Sequence, residues 1–247
     1  MSELGGRVAL VTGGTRGVGK VCALAVADMG CAVAVVYAHS DEDAEATVHE
    51  LRRRNALAQA VKADLGDYEA VQFVFEEVEA RLGPVSVLIN NLGDHHYDAV
   101  ADLDFEAWHR VMDNTIHSTF YCSQRALPNM RRAGWGRIIN IGIAGAHRVD
   151  GVPMMAAEGA GKAAIVSLTK TIALEEAENG ITANMINLSF APGKGTRPED
   201  ARAMAETVPM KRVAHPKDVV YAVQFFASPR SEYITGNVLN VTGGVAI

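Results

Sequence analysis

A chain of 247 residues that is 49% hydrophobic and 21% charged can bury one full α/β core, so a single domain over residues 1–247 is expected. The net charge of -6 leaves no electrostatic footprint for nucleic acid. No apolar run approaches the roughly 18 residues of a membrane span, and residues 1–7 lack the apolar stretch of an export signal. Cys22, Cys31 and Cys122 are scattered and odd in number, which suggests neither a disulfide framework nor a metal site. The expectation is a cytoplasmic protein that acts on a small molecule and has no nucleic-acid or membrane partner.

Residues 7–11 form a short apolar run, then comes Thr12-Gly13-Gly14-Thr15-Arg16-Gly17-Val18-Gly19, and a helical pattern covers 20–29. Strand, glycine turn and helix in that order are what a pyrophosphate site needs. The glycines let the backbone approach the anion, and the helix start offers free N–H groups and a positive dipole end. A second strand over 31–37 completes a βαβ unit. Ser40 then stands where an N-cap is needed for an acidic helix over 41–55, so it is a candidate both for capping and for a phosphate contact.

The spacing Thr-Gly-x-x-x-Gly-x-Gly resembles that of the short-chain dehydrogenase/reductase family, and the resemblance runs on to the C-terminus. It implies an α/β fold, a Rossmann-type doubly wound parallel sheet with helices on both faces, and a nicotinamide cofactor. Gly13, Thr15, Arg16, Gly17, Val18 and Gly19 are the candidate cofactor turn. Strand two ends in Ala38-His39-Ser40, with no acid for a ribose 2′-hydroxyl, while Arg16 lies in the turn. Together these favour a 2′-phosphate and hence NADP(H), with His39 where NADP-preferring relatives often carry Arg.

A third strand is expected over 57–62, followed by Asp64-Leu65, which matches the family's pair that brackets the adenine; a loop cap is the plainer reading of Asp64. Helix 68–81 leads into an apolar strand over 85–90 and then Asn90-Asn91-Leu92-Gly93, resembling the family's Asn-Asn-Ala-Gly, so Asn91 and Gly93 join the cofactor set. Asp94-His95-His96-Tyr97 follows at the end of strand four, where ligands of open parallel sheets bind, and His95, His96 and Tyr97 become candidate proton carriers. Residues 105–132 carry helical spacing. Asn114 there aligns with the family's Asn that holds a water for the catalytic Lys. Helices from 105–132 and 155–178 commonly pack between subunits in the family, which implies a homo-oligomer, a dimer or a tetramer.

Strand five is expected over 137–141, and here the family pattern breaks. Between Ser123 and Ser167 there is no Ser, Thr or Tyr. Ile143 stands at the position of the family's catalytic Ser, and Glu158 replaces the Tyr of Tyr-x-x-x-Lys ahead of Lys162. The Pro-Gly expected after strand six, 181–188, is Leu188-Ser189, with a Pro-Gly four residues later at Pro192-Gly193. A polar segment over 196–207, within a substrate loop over about 190–212, is a candidate lid, and a helix over 216–227 and a strand over 238–241 close the chain.

In the family, Tyr donates the proton, Ser holds the carbonyl oxygen and Lys lowers the phenol's pKa while binding the nicotinamide ribose. Without both hydroxyls, ordinary ketone reduction should be weak. Glu158 and Lys162, four apart on a helix, are either a surface ion pair or a functional pair. The ammonium would keep Glu158 a base, whereas burial among Ile143, Met154 and Met155 would make it a proton donor. Three functions follow. The leading one is an atypical NADP(H)-dependent reductase of a conjugated alkene, iminium or unusual ketone, drawing its proton from Glu158, His95, His96, Tyr97 or water. A non-redox isomerase, cyclase or dehydratase with Glu158 as base is the second, and a catalytically silent subunit that kept the cofactor site is the third.

Overall fold

The computed structural model describes residues 3–192 and 196–247. Seven parallel strands form one sheet in the order β3-β2-β1-β4-β5-β6-β7. They are β1 (Val8–Thr12), β2 (Ala32–Tyr37), β3 (Ala58–Lys62), β4 (Val85–Asn90), β5 (Gly136–Ile143), β6 (Ile181–Leu188) and β7 (Val238–Val241). All of β1 and β6 is buried, as strands covered on both faces must be. Alternate residues feed two cores. Val11, Ile89, Ile139 and Ile186 face one side, and Leu10, Leu88, Ile138 and Ala183 face the other.

The helices are α1 (Gly17–Asp28), α2 (Asp41–Arg53), α3 (Tyr68–Arg81), α4 (Phe105–Met112), α5 (Ser118–Ala133), α6 (Ala156–Glu176), α7 (Pro198–Thr207) and α8 (Val220–Ala227). Residues of α1 and α8 fill the first core, and those of α3, α5 and α6 the second. The fold expected from the resemblance is the one observed. Strand order reverses between β1 and β4, which makes the carboxyl ends of those strands the ligand crevice.

Several boundaries differ from those expected of the sequence, four of them with a structural reason. Helix α1 begins at Gly17 rather than at residue 20, so two of the turn's glycines lie inside its first turn. The span 105–132 is interrupted by a π turn, Asp113–His117, between α4 and α5. Strand β5 runs to Ile143 because Gly142 and Ile143 pair in register with Asn187 and Leu188. The expected helix over 216–227 opens with a 3-10 turn, Pro216–Val219, before α8. Gly193 of the expected Pro-Gly lies outside the described residues. The cysteines are buried, and burial pushes each thiol up to about 12, so they are inert core residues. Among the described residues no helix is long and apolar enough to cross a membrane, and no cluster of His, Cys, Asp and Glu could hold a metal ion.

Candidate active site

The crevice is closed on one side by a knot between β1 and β4. Thr12 Oγ1 accepts from the backbone N–H groups of Asn91 and Leu92, both at 2.9 Å. The Asn91 amide donates to the carbonyls of Thr12 and Gly13 at 3.0 and 3.1 Å. A side chain at Gly19 would put its Cβ 2.1 Å from the Gly13 oxygen, so this helix residue must be glycine for the knot to close. Asn91 therefore spends its amide on the turn itself.

Helix α1 starts without a cap of its own. Arg16 is its N-cap, in extended conformation, with no side-chain bond to the helix and no acid in the first turn. Gly17, at φ +54°, leaves open space above the amides. The contrast is with α2, where Ser40 accepts from Asp43 N and Asp41, Glu42 and Asp43 load the first turn. Uncapped N–H groups beside an exposed guanidinium that has no partner among the described residues fit a phosphate, and so fit the expected dinucleotide. Thr15 is buried, its carbonyl bound by Thr47, and Val18 packs on the core.

At the far end His39 is exposed and Ser40 is occupied as a helix cap. Residues 38–40 offer no acid, yet Asp41 follows directly as the first residue of α2. It accepts from the Tyr37 hydroxyl at 2.8 Å and from Lys62 at 3.0 Å, and these partners hold its carboxyl below the usual range. Asp64 accepts from Gly66 N at 3.0 Å, which is the loop-cap reading. Leu65 is 2% exposed and belongs to the core on the α3 face.

At the other end, Ile143 is the last residue of β5 and packs with Ile165 and Met185. Glu158 sits in the first turn of α6 and is 1% exposed, so the surface ion-pair reading does not hold. Its Oε2 lies 2.7 Å from Nδ1 of His95, and its Oε1 is buried with no partner among the described residues. Lys162 is 4% exposed and donates instead to the carbonyl of Ile141 at 2.9 Å. Burial lowers the ammonium to about 8, opposed by the charge of Glu158. Gly93 faces Lys162 closely: a Cβ there would be 3.3 Å from Nζ.

His95 is 60% exposed at its side chain and is held from two directions. Its own N–H donates to Asp94, whose other oxygen accepts from Arg110 at 2.7 Å. The 94–98 loop is joined to the 149–155 loop by a bridge between Asp98 and Met155 and by Asp98 N donating to Met154 O at 3.0 Å. Hydrogen bonding to Glu158 raises the His95 pKa above the usual imidazole range, against desolvation. Tyr97 stacks on His95 with ring centres 6.4 Å apart, and burial together with the charge of Glu158 pushes its phenol up.

Of the candidate proton carriers, the structure thus brings together Glu158, His95 and Tyr97. His96 is not among them, because its Nε2 lies 2.7 Å from Asp98. Asn114 lies in the π turn, whose widened backbone is a frequent feature of functional sites. One polar cluster had no signal in the sequence because its members are far apart in the chain. His147 lies 3.4 Å from the amides of Asn187 and Asn240, and Asn187 donates to Asn240 at 3.0 Å. A cleft of about 370 Å³, lined in part by Ser189, Asn240 and Thr242, opens beside it.

Comparison with known proteins agrees with this fold. Residues 13–246 match the family described as Enoyl-(Acyl carrier protein) reductase. The 3-oxoacyl-(acyl-carrier-protein) reductase FabG of Staphylococcus epidermidis is 36% identical over 241 residues, covering 96% of this chain and 98% of that protein. Nodulation protein G of Azospirillum brasilense is 34% identical over 249 residues, covering 97% and 98%. A blue fluorescent protein from a metagenomic library, solved in complex with NADPH, superimposes with a TM-score of 0.92 at 31% identity, covering 99% of this chain and 100% of that one.

Proposed function

Since the chain belongs to the short-chain dehydrogenase/reductase family of NAD(P)-dependent oxidoreductases, we propose that it is an NADP(H)-dependent reductase of a small molecule that works without the family's Ser and Tyr. The carrying observation is a divided site. The Gly13–Gly19 turn, Arg16 and Lys162 support a cofactor half, whereas the positions of the family's Ser and Tyr are held by Ile143 and a buried Glu158 tied to His95. NADPH, when bound, supplies hydride. Arg16 and the α1 amides would hold its phosphates, and Lys162, beside Gly93, would face its nicotinamide ribose.

The substrate is a conjugated alkene, iminium or ketone, and the site favours the members of that set that must be protonated. An iminium needs no acid, so a buried carboxylate supporting an imidazole would have no work to do there. Ile143 offers no hydrogen bond to a developing oxyanion, which leaves the same imidazole to polarise the oxygen it protonates. Exposed Phe105, Phe120 and Leu174 on α4, α5 and α6 support a dimer or tetramer, which we take to be cytoplasmic.

The test is NADPH binding by fluorescence transfer, followed by NADPH oxidation against a panel of enones, activated ketones and cyclic iminiums. No binding at millimolar cofactor sinks the proposal. The second reading, non-redox chemistry with Glu158 as base, is favoured by its unpartnered Oε1. Product formation without NADPH consumption would select it.

A further inference from the structure

Resting on the reductase reading, we infer that His95 is the catalytic acid of this site, and that Glu158, in the place of the family's tyrosine, is a positioning residue that never meets the substrate.

Access argues for this assignment. Glu158 is 1% exposed, one of its oxygens is taken by His95 and the other is shut away from solvent. Lys162 is equally enclosed and committed to Ile141. His96 is bound to Asp98, and Tyr97 has a phenol that holds its proton more tightly than an ordinary one. Among the described residues, His95 alone joins the buried carboxylate to the open side of the crevice.

Orientation argues for it as well. A carboxylate at Glu158 can only accept, and with that arrangement the Nδ1 atom facing it carries the proton and Nε2 is turned outward. In that tautomer Nε2 is a base when the ring is neutral and a donor when it is charged. A buried acid behind a histidine does the same elsewhere in enzymes, setting the ring's orientation and stabilising the imidazolium without taking its proton. The Asp94–Arg110 pair and the bridge between Asp98 and Met155 fix the backbone on either side, so the imidazole is held on a braced loop.

The step balances without a further reactant. Hydride adds to the electrophilic carbon, and the displaced π electron pair takes the proton from Nε2–H, either at oxygen for a ketone or at the α-carbon for a conjugated carbonyl. The N–H bond breaks, the ring becomes neutral, and the exposed imidazole regains its charge by taking up one proton from the solvent, the proton that the overall reduction consumes.

Two measurements on the full-length protein test the assignment. The first needs no substrate: the His95 ring, assigned with His95→Gln, is titrated by nitrogen-15 NMR with and without NADPH. Its midpoint should lie above the ordinary value of about 6.5 and fall back toward it in Glu158→Gln. A midpoint that the Glu158 change leaves in place overturns the pairing. The second is turnover on whichever panel substrate is reduced. His95→Gln should lose about a hundredfold or more in kcat. Its KM for NADPH should stay within about twofold, and added imidazole should restore part of the rate in His95→Gly. Glu158→Gln should lose about tenfold and move the alkaline limb of the pH profile downward. If His95→Gln turns over normally while Glu158→Gln is dead, Glu158 acts directly and the inference fails. A wild type that binds NADPH but reduces nothing ends the reductase reading, and the titration still decides the pairing.

Discussion

Lys162 Nζ donates to the carbonyl of Ile141 at 2.9 Å, and Glu158, one turn earlier on α6, turns its carboxylate to His95 instead. Two opposite charges at i and i+4 are thus near enough to feel each other but are not each other's hydrogen-bond partner. The ammonium stays enclosed with one carbonyl as acceptor, and this cost gives the first prediction.

Burial takes Lys162 from 10.5 to about 8, which amounts to a penalty on the order of 3 kcal/mol for keeping it charged at neutral pH. Lys162→Met removes that penalty and forfeits one hydrogen bond worth about 1 kcal/mol. The variant should therefore melt a few degrees higher than wild type at pH 7. Between about pH 8 and 10.5 the unfolded chain holds the proton more tightly than the folded one, so wild-type stability rises and the gap closes. Thermal scans across that window check it, and a Met variant that melts lower at pH 7 refutes it. NADPH binding should weaken in the same variant.

Arg16 is exposed at the N-cap of α1 with no partner among the described residues. Arg16→Ala should weaken NADPH binding by about 10- to 100-fold, the worth of a charge-assisted contact to phosphate. NADH binding should change less than about threefold, since it lacks the 2′-phosphate. Equal losses for the two cofactors would show that Arg16 does not select between them.

Thr12 holds two backbone N–H groups on a single hydroxyl oxygen. Thr12→Val keeps the shape and leaves both without an acceptor, at a cost of about 2 kcal/mol or more. Thr12→Ser should restore most of it. Urea denaturation of the three proteins distinguishes this from a simple packing effect, because a packing effect would favour Val over Ser.

The pH dependence of turnover follows from the groups facing His95. Glu158 and Asp94 raise its pKa, Lys162 lowers it, and Tyr97 covers one face of the ring. The hydrogen bond to Glu158 dominates, so the charged, donating form persists above the usual imidazole midpoint. Activity should be flat at mildly acid pH and fall as pH rises through the elevated His95 value. The stability contributed by the pair has the same sign, being complete below about 6.5 and lost above the folded midpoint. A rate that climbs with pH through this range contradicts donation by His95.

Periodicity and punctuation made the strands and most helices legible, because parallel strands buried on both faces must be apolar runs. The sites of failure share a tertiary cause. Gly17 and Gly19 read as turn because glycine is a poor helix former, yet Gly19 must be glycine to clear the Gly13 carbonyl. Ile143 read as lying past strand five because its pairing partner, Leu188, is supplied by β6. Helical spacing makes Lys162 the natural partner of Glu158, but the end of β5 presents a carbonyl to the ammonium, and His95 arrives from 63 residues away. Asn187, buried against Asn240 and His147, carries no local pattern at all.

The last prediction asks whether the family's chemistry can be returned to this scaffold. Ile143 ends β5 in register with Leu188, and Glu158 lies in the first turn of α6 one turn ahead of Lys162, so both positions are fixed by regular structure and not by loops. Ile143→Ser with Glu158→Tyr supplies a hydroxyl pair beside a lysine that is already lowered to about 8, a charge well suited to drawing down a phenol's pKa. Tyrosine cannot occupy the enclosed Glu158 site and keep the contact to His95, but the His95 side chain is 60% exposed, so its ring can rotate outward while the braced backbone stays in place. General acid catalysis at the carbonyl is worth about a hundred- to ten-thousand-fold, so even an imperfectly placed phenol should raise NADPH-dependent reduction of activated ketones by tenfold or more. The single changes should do less, since Ser without Tyr has no donor to align and Tyr without Ser has no oxygen contact. If the double variant binds NADPH and folds as wild type but gains nothing, then the backbone at 143 and 158 is displaced from the arrangement that carbonyl reduction requires, and the atypical site reflects more than two side chains.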